Sequence, residues 1–211
     1  MARYTGPVDR LSRREGRDLH LKGERYFKGK SPIQRRPFPP GAHMQTRTKQ
    51  LSTFGQQLRE KQSLKRMYGV LEAQFHRYFE QAARYRGVTG TILLQLLESR
   101  LDNLVYRAGF ASTRTQARQL VAHGHVLVDG EKCDRPSAQI KPGQVITLKE
   151  KARANKFVAE SLEFIEKRGG RKPWVSFDVD KSAATFVTLP AREELDDVEV
   201  KEQMVVELYS R

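Results

Sequence analysis

Within the stretch from Arg107 to His125 lie Arg114, Arg118, Gln119 and His123, gathered around one short helical segment. Thr113-Arg114-Thr115-Gln116 is a capping box, in which a threonine hydroxyl and a glutamine amide satisfy the first free backbone N–H groups of a helix. Arg114 then occupies the first turn, where unbonded N–H groups and the positive helix end favour an anion. Arg118 follows one turn later, and Gln119 and His123, four residues apart, share a face. Gly124 reads as a turn that lets the chain pass close to a bulky partner, and His125 opens a strand. Together these residues offer guanidinium forks, point charges and neutral donors to phosphates and 2′-hydroxyls. That equipment suits recognition of RNA by shape better than reading of a DNA groove by base edges.

The elements around this cluster follow from periodicity and turn chemistry. A helix is expected from about Thr91 to Ala108, with Leu93, Leu97, Leu101, Leu104 and Val105 on one face and Gly109 as its stop. The capped helix closes at Gly124. His125–Val128, Asp129-Gly130 and Glu131–Cys133 form a hairpin signal, since Asp-Gly suits a type I′ turn. Pro142-Gly143 marks a further turn before the alternating strand Val145–Leu148. Residues 151–168 read as helical through Phe157, Leu162, Phe164 and Ile165. Three strands are expected at Trp174–Val179, Thr185–Leu189 and Gln203–Leu208, with an acidic loop at 193–202. Trp174 reads as core rather than as a stacking platform.

Ahead of this region, residues 52–86 read as helical. Ser52 or Thr53 is the cap, and Leu64, Tyr68, Leu71, Phe75, Phe79 and Ala82 form one stripe, with Gly69 a point of division. Gly87-Val88-Thr89-Gly90 marks a junction. Residues 1–50 are rich in Arg, Lys, Gly and Pro. Ser12–Glu15 there can cap a short helix, while 28–32 and 35–41 are loop chemistry. The fold class is therefore α+β, in four segments: a basic arm over 1–50, a helical domain over 51–90, an inserted RNA-binding module of two helices and a small hairpin sheet over 91–168, and a C-terminal β segment over 169–211 that packs back on the helical part.

Charge is segregated along the chain. The whole carries 39 Lys+Arg against 25 Asp+Glu, a formal net charge of +14. Residues 1–50 hold 13 cations and 4 acids, net +9, and residues 51–90 hold 7 and 3, net +4, whereas 151–211 hold 11 and 12. Solubility alone gives no reason for that division, and a field of this size attracts polyanions. Nucleic acid is the first reading and an anionic membrane surface the second. The arm supplies Arg3, Arg13, Arg14, Arg35 and Arg36 as phosphate contacts, and the helical domain supplies Lys61, Lys65 and Arg66, with Arg77, Arg84 and Arg86 also off the apolar stripe. Cys133 is the single cysteine, so neither an internal disulfide nor a cysteine zinc cage is available. The first ten residues lack the apolar core of a secretory leader, and no apolar run nears the ~20 residues of a membrane span.

The run Arg100-Leu101-Asp102-Asn103-Leu104-Val105-Tyr106-Arg107-Ala108-Gly109-Phe110, then Ser112-Thr113-Arg114, Ala117–Val121 and His123–Gly130, resembles the αL RNA-binding motif. From Met1–Pro7 and Leu11–Gly16, through Leu58–Gln62 and Tyr68–Glu72, to Val206–Arg211, the chain resembles the family of the fourth protein of the small ribosomal subunit in bacteria and organelles. The resemblance implies a primary binder of small-subunit ribosomal RNA that nucleates assembly of the subunit body. Arg107, which belongs to the cluster around the capped helix, and Arg100 are read as further RNA contacts. The resemblance implies contact with the fifth small-subunit protein and other ribosomal neighbours, assigned to Phe54, Glu207 and Tyr209. It also implies a role in decoding accuracy beside the messenger-RNA entry channel, with Arg47 and Lys49 lining the entry. The implied location is the small ribosomal subunit in the cytoplasm or an organelle. Many members carry four zinc-binding cysteines at positions matching Asp9, Ser12, Tyr26 and Ser31. None of these is Cys or His here, so neither metal nor other cofactor is expected.

An enzyme is the rival class. Residues 1–90 hold no Gly-rich phosphate loop, and His20, His43 and His76 lack carboxylate partners at useful spacing, so no catalysis is expected. Asp102 reads as a helix-surface carboxylate near Arg100 or Arg107. A free-standing RNA chaperone carrying the same module is the further alternative, and cosedimentation with small subunits separates the two.

Overall fold

The computed structural model describes residues 3–23, 28–41, 50–167, 170–179 and 181–210. Two compact units make up the chain. The first takes the sequence up to Leu93 and again from Asp197, and the second takes Leu94–Asp196.

In the first unit, α1 (Val8–Glu15) and the single turn α2 (Pro32–Arg35) precede the longer α3 (Thr53–Met67) and α4 (Glu72–Arg84). Ser52 caps α3 by accepting the Gly55 N–H at 3.2 Å. The one long helix expected over 52–86 is two, separated at Gly69-Val70-Leu71. Leu64, Phe75 and Ala82 are fully buried on the shared stripe, Tyr78 joins them, and Leu71 is exposed at the start of α4. Ser31 caps α2 and Pro32 occupies its first position, so part of the expected loop is helical. Ser12 lies buried inside α1 rather than capping it.

The tail over 202–209 is α10 (Glu202–Tyr209), not a strand. Its β-branched Val205 and Val206 favour a strand locally, but packing decides the outcome. Val205 is buried, Leu208 and Tyr209 follow at helical spacing, and the element docks along α3, where Gln57 Nε2 donates to Glu207 Oε2 at 2.9 Å. Tyr209 stacks on Phe79 with ring centroids 4.7 Å apart.

The helix expected over 91–108 is also two, α5 (Thr89–Glu98) and α6 (Leu101–Arg107). The break has a cause in hydrogen bonding. Arg100 is extended and bridges to Gln139, while the N–H groups of Leu101 and Asp102 donate to the carbonyls of Ala138 and Pro136 at 2.9 and 3.1 Å. Non-local carbonyls thus replace partners that a continuous helix would supply.

The rest of the second unit holds α7 (Arg114–Ala122), β1 (Val126–Val128), β2 (Glu131–Lys132), β3 (Val145–Leu148), α8 (Glu150–Arg153), α9 (Lys156–Lys167), β4 (Val175–Asp178), β5 (Ala183–Phe186) and a 3₁₀ turn at Arg192–Glu194. The five strands form one antiparallel sheet in the order β2-β1-β3-β5-β4. Asp129 and Gly130 both have positive φ (50° and 88°), the type I′ turn expected of Asp-Gly. The Asp129 carboxylate also accepts from the Val145 N–H and Gln144 Nε2, tying the turn to β3, and these bonds lower its pKa. Trp174 is fully buried. The segment 169–211, expected as one β element, is divided: its two strands extend the sheet of the second unit, and its last helix belongs to the first.

Candidate nucleic-acid interface

Helix α7 is held by two buried acid–arginine networks. In one, Arg107 Nε and Nη2 donate to the two oxygens of Glu98 at 2.9 and 2.6 Å, and Asn103 Nδ2 donates to Glu98 Oε2 at 2.7 Å. Asn103 Oδ1 in turn accepts from Arg114 Nε at 2.8 Å, and Arg114 Nη2 stands 4.0 Å from Glu98. In the other, Arg100 makes a two-pronged bond to Asp102 at 3.0 and 2.6 Å, and Arg118 Nη1 reaches the same carboxylate at 3.3 Å. The Thr113 hydroxyl accepts the Gln116 N–H at 3.1 Å as the capping box requires, but Gln116 Oε1 accepts from Ser112 instead of closing the box.

These networks sort the arginines of the motif. Arg100 and Arg107 are buried to within 2% of full enclosure, so as placed neither can present its guanidinium to a phosphate. Their guanidiniums bond Asp102 and Glu98 and orient those carboxylates. Asp102 is itself buried, and its partners are Arg100 and Arg118 rather than Arg107. Arg114 and Arg118 remain at the periphery, with about a tenth of each side chain open, and the Arg114 guanidinium lies over the Tyr106 ring at 4.7 Å. Glu98, which with Asn103 aims Arg114, carried no signal in the sequence beyond its place in an apolar helix, whereas Asn103 lies inside the αL motif.

Past α7 the site opens. Gln119 and His123 are exposed and His125 is half-buried, with the two imidazoles 6.1 Å apart. Gly124 (φ 69°) turns the chain as expected, but the space over it is filled by the alkyl arm of Lys132 rather than left for a partner. The pairing Val126↔Leu148 lays the start of β1 beside the end of β3, and the Lys149 N–H donates to the His125 carbonyl at 2.9 Å. The chain beyond β3 therefore faces the end of α7. Between them runs an open groove of ≈420 Å³, with Gln119, His123 and His125 on one wall and Lys151, Asn155 and Phe157 on the other. The second wall was not anticipated. A signal for it existed: residues 149–156 hold four cations and one acid, inside a segment whose overall charge is balanced.

In the first unit the structure separates exposed from engaged cations. Arg3, Arg14, Arg35 and Arg36 are exposed, as are Arg77, Arg84 and Arg86. Arg13 is half-buried, bonding the Phe38 carbonyl at 3.0 Å and lying over its ring. Lys61 and Lys65 both bond Glu72, at 2.6 and 2.8 Å, and Arg66 bonds the buried Glu15, as does Arg59. Burial raises the pKa of Glu15 despite these arginines. Burial also pushes up that of Glu72, but bonds from Lys61, Lys65 and Tyr209 overcome it and hold the group at about 2. Tyr209 is raised by burial and by Glu72. Lys61, Lys65 and Arg66 are thus each engaged by an acid of their own unit. Of the residues read as protein contacts, Phe54 is exposed, Glu207 is engaged by Gln57, and Tyr209 is half-buried in an aromatic cluster with Phe75, His76 and Phe79. Arg47 and Lys49 lie outside the described residues.

The positions matching the relatives' zinc ligands do not fit that metal. The Ser12 hydroxyl accepts from the Leu19 N–H, Ser31 donates to Asp18 at 2.7 Å and accepts from Ile33, and Asp9 stands 3.6 Å from Lys22. Hydroxyls already bonded within the chain, beside an ammonium, are not a soft tetrahedral donor set. Tyr26 lies outside the described residues. His76 does have a carboxylate neighbour, Glu80 at 3.2 Å on the next turn, and both are half exposed.

Residues 3–98 match the family model described as ribosomal protein S4/S9 N-terminal domain, and residues 99–146 match the S4 domain. Three curated relatives named small ribosomal subunit protein uS4 are similar over the whole of both chains: from Kosmotoga olearia at 54% identity, Geobacter metallireducens at 53% and Thermus thermophilus at 51%.

Proposed function

The chain belongs to the small ribosomal subunit protein uS4 family, and on that premise we propose that it is a structural, non-enzymatic constituent of the small ribosomal subunit in the cytoplasm that binds ribosomal RNA directly. The observation that carries this reading is the end-to-end identity with proteins of that name, across both units and without gaps in coverage. The geometry supports it. Exposed arginines of the first unit and the α7 groove of the second offer cations and neutral donors, the two kinds of group that hold a folded polyribonucleotide.

The finer reading is that the protein binds the RNA early and nucleates assembly of the subunit body. Contacts run through Arg3, Arg14, Arg35 and Arg36 in the arm and through Arg114, Arg118, Gln119, His123 and His125 in the module. It touches the fifth small-subunit protein through the surface at Phe54 and Glu207, and it contributes to decoding accuracy beside the messenger-RNA entry through Arg47 and Lys49. In this scheme residues 1–50 and 51–90 hold RNA together with 91–168, and the tail after 169 serves mainly to close the fold.

The test is binding to protein-free small-subunit ribosomal RNA, together with cosedimentation with salt-washed small subunits. If ~6–10 phosphates are contacted, affinity drops by ~10³–10⁵ between about 50 and 200 mM salt. A flat salt response, or absence from washed subunits, rejects the proposal.

A further inference from the structure

The groove wall formed by Lys151, Asn155 and Phe157 lies beyond the residues that match the S4 domain, and none of the three belongs to the αL motif. Phe157 stands in the second position of α9 with 65% of its surface exposed. Phe157 lies in the helix expected there, but the buried stripe of α9 runs through Val158, Ser161 and Ile165, at helical spacing and to one side of it. Packing therefore does not account for an aromatic ring here.

The surroundings are those of a nucleotide. Lys151 is exposed on the same wall, the two imidazoles and the Gln119 amide face it, and among the described residues no carboxylate lines the groove. Asn155 spends its Oδ1 on the Phe157 N–H at 3.0 Å, which fixes the carboxamide at the groove edge. A volume of ≈420 Å³ lies at the lower end of the range for small-ligand sites, enough for one nucleotide and too little for a duplex. A π-face beside an ammonium and neutral donors is how proteins hold an unpaired base.

We propose that this groove receives one unstacked nucleotide of the bound RNA, its base stacked on Phe157 and its phosphate met by Lys151. The proposal rests on the ribosomal-RNA reading above and extends the contact surface past the S4 domain. It assigns the groove to RNA and not to a neighbouring protein, because the opposite wall continues the polar face of α7 and the groove carries only cationic and neutral groups.

The experiment uses the full chain and protein-free small-subunit ribosomal RNA, with affinity measured across a salt series and base reactivity read at each nucleotide. Phe157→Ala is expected to lose roughly 5- to 150-fold in affinity, the worth of one base–aromatic stack, with the salt slope unchanged. One base protected by the parent chain should become reactive. Phe157→Trp should restore both affinity and protection. Lys151→Ala should leave that base protected and make the log–log salt slope shallower by about 0.7. If the parent chain binds and Phe157→Ala binds equally well with the same protections, the groove assignment falls while the ribosomal-RNA reading stands. If the parent chain does not bind, the underlying reading falls first. A Phe157→Ala defect seen only in assembled subunits and not on free RNA would give the ring to a protein neighbour and overturn the proposal.

Discussion

Glu98 is the acid on which the α7 site turns, and replacing it with glutamine tests the whole arrangement. The residue is fully buried, and its oxygens accept two bonds from Arg107 and one from Asn103. Glu98→Gln keeps the shape but leaves the Arg107 guanidinium, 2% exposed, without its counter-charge. Breaking a buried pair by removing one partner costs about 3–5 kcal/mol, most of it the penalty of the orphaned charge. Trp174 is the only tryptophan, is buried, and has the Arg107 guanidinium 5.5 Å from its ring centre. Its fluorescence in urea therefore reports unfolding of the second unit. With m-values of ~1–3 kcal/mol per M, the midpoint should fall by ~1 M or more. The control is the double change Glu98→Leu with Arg107→Leu, which removes both charges and should recover most of the loss. A single-variant cost below ~1 kcal/mol, or a double variant no better than the single, would falsify the claim that this pair organises the site.

Arg114→Gln and Arg118→Gln should each weaken ribosomal-RNA binding by ~1–3 kcal/mol if their contacts are bidentate, as read by titration at constant salt, and an unchanged double variant removes both from the interface. Arg100→Gln should instead lower urea stability by ~3–5 kcal/mol, because Asp102 loses its two-pronged partner inside the core. Glu72 gives a pH signature. Its folded pKa of about 2 lies below the ordinary carboxylate range, so the stability it contributes is fully present above pH ~4.5 and is lost as pH falls through about 2. Because half of the carboxylate faces water, we discount that contribution to about 1 kcal/mol; Glu72→Gln should flatten this part of the pH–stability curve, and an unaltered curve assigns acid sensitivity elsewhere.

What was legible in the sequence was what local chemistry decides. The Asp129-Gly130 turn, the Thr113 cap, the Ser52 cap and the buried Trp174 all depend on residues within a few positions of one another. The misses share the opposite cause. The break at Arg100 exists because carbonyls at Pro136 and Ala138 take the N–H groups of residues 101 and 102, some 35 positions away. The tail 203–208 has a strand's composition, yet it lies on α3, whose Gln57 is 150 residues earlier. No window of neighbouring residues contains either fact.

The same distinction governs the charges. Sequence reading treats each lysine and arginine as a cation offered to solvent, and on that footing Lys61, Lys65, Arg66, Arg100 and Arg107 looked as fit for RNA as any. In the structure all five are bonded to Glu15, Glu72, Glu98 or Asp102, acids that the summed charge counts only as deductions. A carboxylate enclosed by the fold consumes a particular arginine and, through it, positions the next one outward, as Asp102 does between Arg100 and Arg118. The surface available to a polyanion is therefore set by where the acids are buried as much as by where the bases are numerous. That is why the balanced stretch after residue 148 supplies a basic groove wall, while the strongly basic α3 spends all four of its cations within its own unit.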